Sequence, residues 1–391
     1  MSKRHPSGFI SAFYDPLKNP DAPTIGTATA GDASASVPFT APANVGGSAI
    51  TGYGVQSTPE GIKASAASSP ISITGLTNGT AYTFAVWALN TYGPSAFSAA
   101  SNSVTPQAAI GLFAGVNAAG GNTIARITIA STGDATDFGD LTSARQSLAG
   151  FASSTRGCFA GGSTENTIDY VTIASAGNAT DFGDLTEGKN VASGGCNSST
   201  RGLIGGGNNG ATYLNVIEYV TIATTGNAID FGDITVQKNQ VAACSSPTRG
   251  LFSGGAYPGG TQIDYVTIAT NGNAVTFGNL TVGRYGHAGC SSSVRGLFGG
   301  GGSSAIGNVI DYVTIATTGN AVDFGDLTIE HEGTAACSSS ARGVFGGSYG
   351  PNSNVISYVT IASTGNAIDF GDLTIVGGYR AGCSNSNGGV Q

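Results

Sequence analysis

From residue 108 onward, short runs of alternating apolar and small polar residues recur. The string Asp-Phe-Gly-Asp-Leu, or a near copy, places its Phe at Phe138, Phe182, Phe231, Phe277, Phe324 and Phe370, at intervals of 44 to 49 residues. A fixed period in this range marks stacked supersecondary units, and strand-rich units of this length read as four-stranded blades. The fifth copy shows the plan. Arg295 to Gly300 is a strand ending in a double Gly, and Ile310–Ala316 is a strand of alternating type. Thr318-Gly319-Asn320 reads as a tight hairpin turn with Gly where positive φ is wanted. Ala321–Thr328 is the returning strand, and Thr334–Cys337 begins a fourth. The first copy starts at Ile110–Gly115 without its innermost strand, while Tyr379–Ser384 supplies one that has no partner in sequence. This phase predicts that the C-terminal strand completes the first blade and closes the propeller, removing edges that would template aggregation.

Before the repeats, apolar residues alternate over Ala35–Phe39, Ile50–Val55, Ile71–Leu76 and Tyr82–Ala88, with turn signals between them. This is the pattern of a small β-sandwich. Leu76, Gly79 and Tyr82 have the spacing of a tyrosine corner, in which the phenol bonds backbone a few residues upstream. The corner puts Tyr82, Phe84, Val86 and Ala88 on the inner face, so Trp87 and Leu89 point outward. Trp87 is the only Trp of the chain. Two readings stand for it: cover by another part of the chain, or contact with a partner. With FTAPANVGGSAITGY before the corner and NTYGPSAFSAASNSVTP after it, the segment resembles a fibronectin type III domain over its whole length. Phe39 stands where that family usually has a Trp, which keeps a core aromatic. No Arg-Gly-Asp is present, so the resemblance carries no integrin binding. The expected organisation is all-β: an arm over residues 1–21, a sandwich over 22–107 and a six-bladed propeller over 108–391.

The arm combines Pro6, Pro16 and Pro20, which discourage regular structure, with Phe9, Ile10, Phe13, Tyr14 and Leu17. It reads either as folded back on its own domain or as a docking segment led by Phe9, Ile10, Phe13 and Tyr14.

Composition narrows the function. Only 10% of residues are charged, against roughly 25% in an ordinary soluble protein, and the formal charge is −8. Fifteen Lys and Arg form no cluster beyond Lys3–Arg4–His5, so no nucleic-acid partner is expected. No apolar run reaches 18 residues, so no membrane insertion is expected, and the N-terminus lacks the apolar core of a secretory signal. Cys196, Cys244, Cys290, Cys337 and Cys383 share one slot in successive repeats, with Phe151 in the first. Equivalent positions of neighbouring blades lie too far apart for a disulfide, and no Cys-x-x-Cys accompanies them, so they read as reduced packing residues.

No catalytic, cofactor or metal site is expected. Asp-Phe-Gly matches a kinase magnesium motif, but no strand lysine or catalytic loop accompanies it. GGGNNG and GGGGSS precede strands rather than helices. His5, His287 and His331 are dispersed. One repeated acid slot holds Asp137, Asp181, Asp230, Asp323 and Asp369, and the other holds Asp140, Asp184, Asp233, Asp326 and Asp372. The fourth copy has Thr276 and Asn279 there. These acids read as turn and backbone partners, or as partners of Arg156, Arg201, Arg249, Arg295 and Arg342, with calcium the minor alternative.

The repeat resembles kelch units: Arg near a strand start, a double Gly, an alternating strand with Tyr, and an aromatic about ten residues on. Phe stands in all six copies where kelch units usually have Trp. Loops joining strands two to three, and blade to blade, emerge on one face and vary between copies. The second set includes Arg145, Lys189, Lys238, Arg284, His331 and Arg380. Function rides on such loops over a rigid scaffold. Tyr213, Tyr257, Tyr285, Tyr349 and Tyr379 are therefore the expected contacts for a sugar or a protein patch, with Trp87 beside them. The whole chain, through the string GNAxDFGDLT above all, resembles virion structural proteins of tailed phages such as cyanophages. The resemblance implies a non-enzymatic tail, baseplate, fibre or capsid-decoration component. Its partners would be other virion proteins and host cell-surface glycan, within a multi-subunit assembly. The alternative is a bacterial extracellular adhesin or glycan-binding surface protein. A kelch-like copper oxidase would need a Cys–Tyr pair and several His, which three scattered His do not supply.

Overall fold

A computed structural model describes residues 18–119, 121–191, 194–255, 260–302 and 307–386. These residues are all-β, with no helix among them, and divide into two compact units that part between Ala108 and Ala109. Phe9, Ile10, Phe13 and Tyr14 of the arm, and Tyr257 of the repeats, lie outside the described residues.

The first unit is a sandwich. One sheet runs in the order Lys63–Ala66, Gly52–Thr58, Thr83–Asn90, Gly93–Pro94. The other contains Thr29–Gly31, Ser34–Val37 and Ile71–Thr74. Alternation along each strand sends Val37, Val55, Ile71, Ile73, Tyr82, Phe84 and Val86 into one core. The Tyr82 phenol accepts from the Thr77 amide at 3.0 Å and donates to Glu60 at 2.6 Å, so a buried hydroxyl keeps both roles filled. Phe39 packs its ring 4.5 Å from Tyr53.

The last strand of this sandwich is unusual. Beyond Pro94 the chain follows Thr83–Asn90 with one rung every third residue. Ser95, Ser98 and Ser101 donate their amides to Ala88, Val86 and Phe84. The amides of the same three residues donate back to the serine hydroxyls at 2.9, 3.0 and 3.0 Å. A side-chain oxygen thus replaces the missing carbonyl at each rung, and the sheet edge keeps its amides satisfied without regular pairing.

The second unit contains six four-stranded antiparallel sheets among the described residues. In the second sheet the order is Ala149–Ala152, Arg156–Ala160, Thr167–Thr172, Thr180–Asp184. The first sheet takes its innermost strand, Ala381–Ser384, from the far end of the chain, paired to Ile110–Ala114. In every sheet the register shifts opposite the Asp-Phe-Gly string, where Ile168 faces Gly183 but Asp169 faces Asp181. This bulge resets the alternation. Phe182 and Leu185, three residues apart, therefore both point inward. In five of the six sheets the repeated Phe meets a Tyr of the neighbouring strand edge to face, as in Tyr170–Phe182 at 5.9 Å.

The segment expected as a tight hairpin turn does something else. The Gly-Asn-Ala of each sheet docks on the outer strand of the sheet before it. Gly177 and Ala179 donate to the Phe138 and Asp140 carbonyls, and Asn178 Oδ1 accepts from the Asp140 amide at 3.1 Å. The approach is so close that a Cβ on Gly139 would lie 2.3 Å from the Gly177 oxygen. Only Gly fits there. The same bonds join the sixth sheet to the first: Gly133 and Ala135 donate to Phe370 and Asp372, and Asp134 takes the Asn role at 3.0 Å.

The repeated arginines also differ from expectation, since they do not pair with the repeated acids. Arg156 stacks on Tyr170 at 4.6 Å and donates to the Ile222 carbonyl of the next sheet. Arg342 repeats this from the sixth sheet to Ile129 of the first. A guanidinium satisfies a planar face and a carbonyl together, which a carboxylate partner would not require. Each apolar cluster is shared by two successive sheets, as where Phe113 and Ala125 pack with Val344 and Phe370.

Candidate binding face

At the middle of the six sheets the inner strands touch through backbone. A Cβ on Gly150 would lie 2.4 Å from the Gly382 oxygen, and one on Gly195 would lie 2.4 Å from the Gly150 oxygen. The space left is about 30 Å³, room for a water or two. Around it runs a chain of hydroxyl bonds. Ser245 donates to the Asn197 carbonyl at 2.7 Å, Ser291 to Ser245 at 2.7 Å, Ser338 to Ser291 at 2.8 Å and Ser384 to Ser338 at 2.6 Å. Ala152 occupies the same slot with no hydroxyl to give. The six cysteines are free and buried, and burial pushes the Cys196 and Cys383 thiols up to about 12.

The sheet-to-sheet connectors hold the cations expected on the surface, and they are buried instead. Arg145, Lys189, Lys238 and Arg284 form ion pairs with Asp169, Glu218, Asp264 and Asp311, whose side chains are fully covered. Each acid sits on the third strand of the sheet that its cation enters. It also holds the start of the connector, as where Thr142 and Thr281 give their hydroxyls to Asp169 and Asp311. Arg284 also donates to the Val309 and Phe298 carbonyls. Burial lowers the affinity of Lys238 and Arg284 for their protons, and Asp264 and Asp311 oppose it.

These acids were not singled out from sequence, although a signal exists. Where the cation slot becomes His331, the acid slot becomes Ser357, and in the last connector the cation slot is Gly377 and the acid slot Ala125, with Arg380 three residues on in the slot of His287. His331 donates Nδ1–H to the Gly347 carbonyl at 3.1 Å. His287, three residues after Arg284 in the preceding connector, meets the Ser253 hydroxyl at 2.9 Å. Burial, then Arg284 and Lys238, hold His287 well below the usual imidazole range, and burial lowers His331 also.

The expected aromatics among the described residues are half-buried or exposed, Tyr213 and Tyr349 in loops between second and third strands and Tyr285 and Tyr379 in connectors. Tyr213 is 38% exposed in a loop ordered by asparagines, with Asn209 Oδ1 capping the Ala211 and Thr212 amides. Tyr285 is half-buried and exchanges backbone bonds with Gly302. Tyr349 and Tyr379 come together, ring centroids 5.0 Å apart and tilted by 38°, and Tyr349 is 51% exposed. The Tyr379 hydroxyl lies 3.4 Å from Glu332 Oε1, and burial with the adjacent carboxylate pushes the phenol up to about 12. A separate hollow of about 270 Å³ is lined by Asn117, Gly121, Ala144, Gln146 and Ser163. In the sandwich, Trp87 is half-buried. It lies over Gly54, where a Cβ would come within 2.1 Å of the indole, and meets Phe97 edge to face at 5.3 Å. Among the described residues no group of three or more His, Cys, Asp and Glu is placed to hold a metal ion.

No curated protein matches the chain. The family model of the fibronectin type III domain matches residues 21–104, and this part of the chain is a fibronectin type III domain.

Proposed function

We propose that the chain is a non-enzymatic virion component of a tailed phage, at the tail, baseplate or fibre or on the capsid, and that its six sheets are the blades of a closed kelch-like propeller. In this reading the arm and sandwich attach to other virion proteins, and the loop face meets a host surface or a neighbouring subunit. The observation that carries it is the reuse of one bond set at the junctions, the last-to-first junction included. That reuse favours a closed circle over an open stack. It also accounts for the repeated residues: Gly-Asn and Asp-Phe-Gly join sheets, and Arg stacks and caps a carbonyl. What differs between copies is then left to the exposed loops, where binding is carried.

Two experiments test this. Peptides of the chain should be recovered by mass spectrometry from gradient-purified phage particles. Recovery only from a bacterial surface fraction would favour the adhesin reading instead. Cryo-electron microscopy of the chain should resolve six blades without a gap, and an open arc would end the closed-propeller part.

A further inference from the structure

We propose that Tyr349, Tyr379 and Glu332 form a binding site for a neutral pyranose sugar, with Tyr349 as the stacking face and Glu332 as the acceptor for sugar hydroxyls. The inference rests on the reading of the loop face as a binding surface and names its ligand class.

Tyr379 has φ of +55°, a conformation that bulky residues rarely hold. Its connector slot is a bonded series: Gly333 donates to Gly286, Tyr379 to Gly333, and Ser147 to Tyr379, at 2.7, 2.6 and 2.7 Å. Gly286 and Gly333 fill that slot with φ of +64° and +65°, and Gln240 and Ser147 hold it at +56° and +61°. The slot thus fixes one left-handed backbone conformation for whichever of these residues it carries, and in the last connector it carries a tyrosine.

The neighbouring residues then make room for that ring and fix it. A Cβ on Gly333 would lie 2.9 Å from the Tyr379 ring, and one on Gly378 would lie 2.3 Å from the Tyr349 amide. Both positions are free of side chains. Tyr349 donates its amide to the Glu332 carbonyl at 2.8 Å, and Glu332 donates its own to Ser348 Oγ at 3.1 Å. The platform and the carboxylate are thus held by backbone, so little order has to be gained on binding.

The chemistry matches one class of ligand. A pyranose carries an apolar C–H face, suited to the negative face of an aromatic ring, and a rim of hydroxyl donors. Beside the rings stands a half-buried carboxylate, an acceptor with spare lone pairs. A carboxylate here repels uronates and sialates, as does a net charge of −8. A protein patch would bring its own apolar bulk and needs a wider surface than two rings.

The test is saturation-transfer NMR on the full chain. The probes are the methyl pyranosides of glucose, galactose, mannose and N-acetylglucosamine, with galacturonate trisaccharide as the acidic comparison. At least one neutral sugar should show transfer strongest at its C–H face, and the acidic one none. Tyr349→Ala should weaken that binding at least tenfold. Glu332→Gln should weaken it several-fold and narrow the gap to the uronate. Val294→Ala, in the loop at the other end of its sheet, should change nothing, and circular dichroism of each variant checks the fold. No transfer from any neutral sugar would overturn the proposal, as would binding that survives Tyr349→Ala. Retention of the chain on a protein partner, lost in Tyr349→Ala with sugars silent, would assign the site to protein instead. Recovery from particles without sugar binding would sink this inference alone, and sugar binding without particles would sink only the virion placement.

Discussion

Serine hydroxyls complete backbone hydrogen bonds in both units, but in opposite roles and at different places in the architecture. In the sandwich, Ser95, Ser98 and Ser101 repair one sheet edge, each hydroxyl accepting an amide of the adjacent strand. In the repeats, Ser245, Ser291, Ser338 and Ser384 donate across from one sheet to the next. The sandwich has one core, so damage at its edge weakens that core alone. The repeats have several small cores, each shared by two sheets, so polar bonds between sheets decide whether the cores act together. A low-charge chain can use hydroxyls for both tasks because a neutral bond costs less to desolvate than an ionic one.

The two units can be followed separately. Trp87 is the single tryptophan and lies in the sandwich, so its fluorescence reports that unit, while circular dichroism reports both. The largest effect expected is from Asp311→Ala, which leaves Arg284 buried without its counter-ion. It should destabilise the repeats by ~3–5 kcal/mol in denaturant titrations while the Trp87 transition stays in place. A shift in the Trp87 midpoint would break the comparison. Next, Ser98→Ala strands the Val86 amide, which should cost about 1–3 kcal/mol and move the Trp87 transition alone.

Acid should act on the repeats. His287 and His331 are held below the ordinary imidazole value of 6.5 by burial. Between their folded values and 6.5 the unfolded chain binds more protons, so stability falls as pH drops through 6.5. The slope should be up to about 1.4 kcal/mol per pH unit for each neutral histidine. His287→Gln should flatten it, and an unchanged slope would mean that His287 takes up its proton while folded. The smallest effect sharpens the hydroxyl argument. Ala152→Ser places a donor against the Ser384 carbonyl and should stabilise the repeats by about 0.5–1 kcal/mol, seen as a higher midpoint by circular dichroism with Trp87 unmoved.

Much of the fold was legible because local patterns carried it. Alternation gave the sandwich strands, and the corner spacing gave Tyr82. The repeat phase matches the pairing of Ala381–Ser384 with Ile110–Ala114. Other features were hidden for physical reasons. Asp-Phe-Gly-Asp-Leu breaks strict alternation because a bulge lies inside it, so the three-residue Phe–Leu spacing does not announce a strand. The Gly-Asn segment looks like a hairpin turn in one copy, and its partner belongs to another copy some 40 residues away. The connector cations read as surface charge because their acids lie 24 to 29 residues on and inside a strand. At the candidate site, the sequence pointed to the tyrosines one by one. That Tyr349 meets Tyr379 depends on a loop of the sixth sheet meeting the connector that follows it, and no spacing encodes that.

The borrowed innermost strand of the first sheet has a consequence for biosynthesis. Ile110–Ala114 leaves the ribosome some 270 residues before its partner exists. Until translation reaches Ser384, every nascent chain carries an open edge that can capture a neighbour. Completion is thus a late event with a long loop to close. Truncated products, or crowded polysomes making this chain, should be the forms that cross-pair, while the finished molecule conceals the hazard.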